Sequence, residues 1–526
     1  MCDTFKNKRM FISCFGSALV FGLVAHAMGI LDFTINHDSL REYYLSFATS
    51  IKLSAGRFLE PLLRIFMGEY ITLTWLTGIV SLSAIGVSVF LISKMFSLEK
   101  TWQHILLGGI CVTNISVTAT IASYIHDFMG NCISLLCATA AAYFWTKIKN
   151  KFSFKAAVLS VLCMFVSLGL YQAYLAVTTT LVCIFCLKEL LEGATAKSVI
   201  RSILRAVAIV AIATALYLAC TYAIKLVFNL ALKDNGVGAL LGDGQSSGVN
   251  FLTRIVLGYG LFFLNFLLPN HTSSQAIFEP TALLIGALNL ALIILSVCIV
   301  IRQIRLNKIK KPETLFIIGI IFSIPLCMSC VMIVSNVFHE LLRYAFYLLY
   351  LLVLVVLNLL PSKPDRAKRD WRKIAAVSII GFVILNNVQL ANMAYTQKKL
   401  QQQATLSLMT RVIYSLEQFD GYEYGKSEVA FIGKYFDDDA GWENDALYFV
   451  AGMEHRSPIT MPEALDNYFE LVLQYPINFV DFTSEEIDEV KTTQEFKEMP
   501  EYPAEGSIKE INGIIIVKFN ISESQK

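Results

Sequence analysis

Charge is scarce in this sequence. Only 16% of its 526 residues are Asp, Glu, Lys or Arg, against 56% hydrophobic, and the mean hydropathy is +0.59. So few charges cannot cover so much apolar surface, which excludes an ordinary soluble protein and leaves a polytopic membrane protein. Cysteine is missing from the last third: all twelve lie between Cys2 and Cys330, mostly in apolar runs, so no disulfide framework is visible. Cys183 with Cys186 and Cys327 with Cys330 have the spacing of a redox or zinc pair. Each pair lies in an apolar helix without matching histidines and reads as small packing residues. No Walker loop and no dinucleotide fingerprint occurs, so nothing points to nucleotide energy at the cytoplasmic face, and nothing points to a nucleic-acid partner.

What charge there is divides by region. Residues 395–526 carry 11 Lys and Arg against 24 Asp and Glu, a net −13, and the remainder is +15. An acidic soluble domain therefore follows a basic membrane domain, with the boundary at residues 394 and 395. Lys6, Lys8 and Arg9 precede an apolar run from Met10 to Leu31, long enough to cross a bilayer about 30 Å thick. Ala25-His26-Ala27 has the look of a signal-peptide cleavage site, but the apolar run is too long for one. Further runs at 70–93, 104–124, 128–146, 154–170, 172–188, 204–231, 281–301, 314–334, 342–360 and 373–394 bring the spans to eleven.

With a cytoplasmic N-terminus, alternation puts the basic clusters around Lys94, Lys147 to Lys155, Lys188 to Arg205, Arg302 to Lys311 and Lys363 to Lys373 all inside. It also puts residues 395–526 outside. Phe251 to Leu268 must not cross if the alternation holds. It reads as an outer-face interfacial or re-entrant helix, between polar loops 236–248 and 270–275. The acidic domain shows a helix at 395–419, a strand at 429–435, helices at 462–473 and 484–496, and a hairpin signalled by Asn512-Gly513, a small α/β arrangement. Asp437 to Asp439 read as a solvated turn.

Chemistry concentrates in the stretch 32–64. It holds Asp32, His37, Asp38, Arg41, Glu42, Arg57, Glu60 and Arg64 between two spans. A carboxylate beside an imidazole can accept a hydroxyl proton, and arginines can neutralise a phosphate through forked hydrogen bonds. The same outer level receives His126 and Asp127, Tyr171 and Gln172, and Asn336, His339, Glu340 and Arg343. Singly, each has a plain structural use as a cap, an interfacial anchor or a snorkelling side chain. Their convergence at one level points to a site at the outer membrane surface.

Asn36-His37-Asp38, Gly56 to Leu62, Tyr124 to Gly130, Leu170 to Tyr174 and the segment Asn392 to Met409 resemble the bacterial serotype-conversion glucosyltransferase family. The resemblance implies a GT-C-like polytopic helical fold and an inverting hexosyltransferase of the bacterial plasma membrane. Its donor would be a polyprenyl-phosphate sugar such as undecaprenyl-phosphate glucose, and its acceptor an O-antigen or other surface glycan. The family often pairs two acidic residues in the first loop; here the first position is His37, which leaves Asp38 as the residue carried over.

Physics and resemblance together assign Asp38 as general base on the acceptor hydroxyl. Arg57, Arg343 and Arg254 would offset the leaving phosphate, and His37, Glu60, Tyr171 and Gln172 would bind substrate. Asp127 and His126 would orient the acceptor or hold a divalent cation, Mg or Mn; no other cofactor is implied. The rival reading is a transporter or flippase of lipid-linked sugars. It predicts ionisable groups near mid-bilayer and paired halves with broken helices, and no internal repeat is present.

Overall fold

A computed structural model describes the chain apart from residues 1, 33–34, 36, 43–44, 68–71, 150–152, 234–249, 269–279, 336–338, 361–369, 436–449, 451–458, 460–461, 481–483 and 521–526. Asn36, Asn336, Asp437 to Asp439 and the loops 236–248 and 270–275 thus lie outside the described residues. The chain divides into two compact units. The first comprises Met1–Phe33, Leu45–Met393 and Asp445–Val450; the second comprises Thr34–Tyr44, Ala394–Asn444 and Ala451–Lys526.

Helices of the first unit are α1 (Cys2–Leu31), α3 (Leu45–Ser54), α4 (Glu60–Met67), α5 (Thr74–Phe96), α6 (Thr101–Thr113), α7 (Ile115–Tyr124), α8 (Phe128–Ile148), α9 (Phe154–Leu170), α10 (Leu175–Leu191), α11 (Ala196–Phe228), α12 (Phe251–Leu267), α13 (Pro280–Leu306), α14 (Lys311–Ser335) and α15 (Leu348–Asn358). Helix α2 (His37–Arg41) belongs to the second unit, and α16 (Trp371–Glu417) contains the division at residues 393 and 394. Among the described residues, nine helical stretches are long and apolar enough to cross a membrane. One of these, Thr101–Ile148, holds both of the apolar runs expected at 104–124 and 128–146. Phe154–Leu170, expected as a span, is a shorter apolar helix, as is Phe251–Leu267.

Hydroxyls and small residues join the helices, as they must where lipid supplies no hydrophobic drive for helices to associate. Ser13 Oγ meets His104 Nδ1 at 2.6 Å, and His26 Nε2 meets the Val112 carbonyl at 2.8 Å. The near-constant offset means that α1 and α6 run the same way. Between α8 and α9, Ser134 Oγ donates to the Ser167 carbonyl and Ser160 Oγ to that of Ala141, the falling register of an antiparallel pair. Thr179 with Cys327 and Cys183 with Ser323 set α10 antiparallel to α14. Cys183 takes part through its thiol and Cys327 through its backbone carbonyl. A β-carbon on Gly22 would stand 2.6 Å from Leu82 Cδ2, so a larger residue there would push the Leu82 side chain aside as α1 meets α5.

Helix α12 is buried towards its C-terminus. Phe262 and Phe266 pack on Phe346, with ring centroids 5.7 and 6.4 Å apart, whereas Phe251, Leu252 and Val256 are exposed.

The second unit has a four-stranded sheet of order β2-β1-β4-β3, from β1 (Glu428–Ile432), β2 (Asn478–Phe479), β3 (Ile508–Ile511) and β4 (Ile514–Lys518). Strand β1 is parallel to β2 and β4, while β3 and β4 form the hairpin; Asn512 and Gly513 have φ of 56° and 84°, as a two-residue primed turn requires. Both faces are covered, which explains the unbroken apolar run Ile514 to Val517. Val429, Ile515 and Val517 join Met409, Val412 and Phe469 on one side; Ala430, Ile432 and Ile516 join Val490 and Phe496 on the other. The early segment belongs to the first of these cores. Ile35 and Leu40 are buried in it, and Asn467 Nδ2 donates to the Leu40 carbonyl at 2.7 Å.

A buried charge cluster as candidate active site

The cluster is built on the turn after α3. Gly56, at φ 73°, ends that helix: its N–H reaches the Leu53 carbonyl and the Arg57 N–H reaches that of Lys52, a Schellman closure. The following residues are pinned to the bundle. Leu59 N donates to the Gly169 carbonyl at 3.0 Å, and Gln172 Nε2 donates to the Ala55 carbonyl at 3.0 Å and to Tyr217 Oη at 2.6 Å. Phe58 stacks on Tyr217. Fixed in this way, Lys52, Arg57 and Glu60 are presented to the start of α8.

Asp127 waits there. Asn114 interrupts α6 and α7 and caps the latter through Val117 N, and a 3-10 turn, Ile125–Asp127, links α7 to α8. The turn sets a buried carboxylate at the N-terminus of α8, where the helix dipole favours negative charge. Lys52 Nζ lies 2.6 Å from Asp127 Oδ1, and Arg57 Nη1 lies 3.1 Å from Oδ2. The Arg57 guanidinium also covers the Tyr171 ring, 4.5 Å from its centroid. His126 is buried beside Asp127, with Nε2 3.7 Å from Oδ1.

Glu60 differs from Asp127. It is 3% exposed, and its Oε2 has no hydrogen-bond partner among the described residues. Burial, reinforced by the Asp127 carboxylate, pushes its carboxyl group up to about 7 against the opposing pull of Lys52, Arg64 and His126. One carboxylate is thus held between cations, and the other is poised to exchange a proton near neutrality.

A second polar group continues from this one. Arg343 Nη2 lies 3.4 Å from Glu340 Oε1, on the 3-10 segment Glu340–Tyr347. The Tyr124 ring touches both His126 and His339, at 6.3 Å in each case, and the Tyr171, Tyr174 and Tyr344 rings form a chain at 5.6 and 5.5 Å. The first unit therefore brings together Arg57, Glu60, His126, Asp127, Tyr171 and Gln172, with Arg343 reached through these rings. Arg254, on α12, directs Nη1 to the Val334 carbonyl at 3.5 Å. Asp38 and His37 lie on α2 in the second unit, where Asp38 is half-buried.

Sequence reasoning missed Lys52 and Tyr217 as members of the site. Lys52 lies in the last turn of a short helix between spans, and Tyr217 lies mid-run in an apolar span; only the pairing partners reveal them.

The fold and this cluster define a polytopic helical membrane protein with acid-base and cation groups buried between its helices. The family model described as Glucosyl transferase GtrII matches residues 27–359, and the chain belongs to that family. It is the family of the serotype-conversion glucosyltransferases, so the chain is a membrane glycosyltransferase. No curated protein and no solved structure matches it.

Proposed function

We propose that this enzyme transfers glucose from a polyprenyl-phosphate donor to a surface glycan on the extracytoplasmic side, with inversion. In this reading residues 1–394 form a GT-C-like catalytic domain of eleven spans, and residues 395–526 form an extracytoplasmic domain. Support for the topology comes from the basic clusters on one side and from helix directions: α1 runs with α6, α8 against α9, and α10 against α14, as the alternation requires.

The observation that carries the chemistry is the contrast between Glu60 and Asp127. Within the first unit, Lys52, Arg57 and Arg64 stand around Asp127 and Glu60, and such cations are suited to a phosphate leaving group. Glu60, its Oε2 unengaged and its proton affinity raised, accepts the proton of the acceptor hydroxyl as the oxygen attacks the anomeric carbon; the bond to phosphate breaks, and Arg57 and Arg343 balance the charge that leaves. Asp127 holds Lys52 and Arg57 in place. His126 and Asp127 each offer a ligand atom to a divalent cation, while Lys52 and Arg57 already face the Asp127 oxygens, and no step is routed through a metal.

The family resemblance offers Asp38 as the base. Labelled undecaprenyl-phosphate glucose, purified protein and a surface-glycan acceptor decide between the two. Glu60→Gln should abolish transfer, falling about a hundred- to ten-thousand-fold with donor binding retained. If Glu60→Gln transfers at the parental rate and Asp38→Asn is dead, the base is Asp38. Donor movement across proteoliposomes without any transfer would establish the flippase instead.

A further inference from the structure

The second unit carries a strip of tyrosines at its surface, where α16 gives way to β1. The connecting residues include Asp420-Gly421-Tyr422-Glu423-Tyr424-Gly425, and both glycines take positive φ, 92° and 68°. Ser427 closes the turn: its Oγ accepts from the Glu423 N–H at 2.8 Å, and its own N–H reaches the Glu423 carbonyl at 3.0 Å. A β-carbon on Gly425 would stand 3.7 Å from Pro476 Cγ, so the turn lies against the segment that leads into β2.

The rings are held in place. Tyr422 and Tyr475 are half-buried against the core that contains Val429 and Phe469, and their hydroxyls are 3.2 Å apart. Tyr424, 60% exposed, stands at 89° to the Tyr475 ring with centroids 5.1 Å apart, which makes an open corner. Glu417, at the end of α16, lies within electrostatic reach of the Tyr422 and Tyr475 hydroxyls. Tyr414, 64% exposed, precedes it by one turn on the same helix face. Tyr414, Glu417 and the corner thus form one strip. Tyr414 and Tyr424 are the most exposed large apolar side chains among the described residues of this unit, and a fixed tyrosine supplies broad contact area at little cost in conformational entropy.

The strip selects its occupant by chemistry. Glu417, Asp420 and Glu423 are exposed beside the rings, and Lys426 is engaged by Glu423 at 3.2 Å. Residues 395–526 carry a net −13, so an anionic headgroup or a polyanion is repelled. A neutral polyhydroxylated chain is matched: the C–H face of a pyranose ring lies on a tyrosine face, and its hydroxyls donate to carboxylates and exchange hydrogen bonds with phenols. Rings set along a strip suit successive sugars of a polymer rather than a single one.

We propose that Tyr414, Tyr422, Tyr424 and Tyr475 form a docking surface for a neutral polysaccharide strand. The proposal rests on the glycosyltransferase reading above, whose acceptor is a surface glycan, and gives the second unit the task of holding that acceptor.

The test begins with binding. Full-length protein in detergent is applied to beads carrying surface polysaccharide from the source cells, freed of lipid and treated with protease. The parent should be retained, and free polysaccharide should release it. Tyr424→Ala should weaken binding by about three- to tenfold and Tyr414→Ala combined with it by more, while Tyr424→Phe, which keeps the ring, should stay near the parent. Both positions are exposed, so the variants should keep the parent's thermal unfolding. In transfer assays with undecaprenyl-phosphate glucose, Tyr424→Ala should raise KM for the polysaccharide, leave kcat alone, and leave transfer to a single repeat unit as in the parent. A parent that is not retained, or variants retained equally with it, would overturn the surface. Retention seen only when protease treatment is omitted would overturn it too, giving the strip to a protein. A parent that binds polysaccharide through these rings but transfers no glucose to it would sink the enzyme reading and leave the surface standing.

Discussion

Lys52 Nζ and Asp127 Oδ1 are 2.6 Å apart, joined across 75 residues of sequence and both buried. A buried pair of this kind is felt most when one partner is removed, because the other charge stays behind without it; the cost is about 3 to 5 kcal/mol. Arg57 stays on Asp127, so Lys52→Met should cost less than that, and Asp127→Asn, which takes the carboxylate from both cations, should cost more. Thermal unfolding in detergent reads both. An Asp127→Asn variant as stable as the parent would mean that the pair contributes nothing.

Glu60 predicts the pH profile. Its carboxyl group is raised from 4.5 to about 7, so the folded protein holds this proton more tightly than the unfolded chain does. Below the unfolded value both states are protonated and there is no penalty; as pH rises from about 4.5 to 7 the unfolded chain ionises first, and this group's contribution to stability falls. Activity runs the other way, because the base works ionised. A plot of log kcat/KM should rise through an acid limb centred near 7. Asp127→Asn removes a neighbouring negative charge and should move the limb to lower pH; a limb that stays in place would detach Glu60 from the profile.

Gly130 tests the placement of Glu60 without touching its charge. A β-carbon there would stand 3.2 Å from Glu60 Cγ and 3.8 Å from its Oε1. Alanine is the better helix former by about 1 kcal/mol, so Gly130→Ala should leave the helix no less stable. It should nevertheless lower kcat by tenfold or more, because a base moved by a few tenths of an ångström loses its alignment. Unchanged kcat with unchanged stability would argue against Glu60 as the base.

The arginines predict a difference in kind. Arg57→Ala and Arg343→Ala should each reduce transfer about ten- to a hundredfold, the worth of a lost charge-assisted contact to phosphate. Arg57→Lys should remain well below the parent, because a lysine keeps the charge but not the guanidinium plane over Tyr171. Steady-state kinetics with the lipid donor separates these cases; a fully active Arg57→Lys would reduce Arg57 to a point charge.

Much of this was legible in the residues. The hairpin turn at Asn512-Gly513 and the convergence of Arg57, Glu60, His126, Asp127, Tyr171 and Gln172 follow from local patterns: a two-residue turn signal, and polar side chains set at matching ends of apolar runs. Pairing was not legible, because it depends on contacts across long stretches of sequence. Asp127 reads as a free carboxylate until Lys52 and Arg57 are seen on it. The boundary expected at residue 394 falls inside a helix that runs unbroken to Glu417, as no proline or glycine is there to stop it.

The second unit's sequence discontinuity has a consequence for biosynthesis. Leu40 leaves the ribosome early, but Asn467, whose amide binds its carbonyl, follows 427 residues later. At about 5 to 20 residues per second that is a wait of roughly 20 to 85 s. Until Leu408 and the residues after it are made, Ile35 and Leu40 have none of the core that covers them, which is an opening for a chaperone or a protease. The last stretch of the chain thus determines whether one of the first is ever buried.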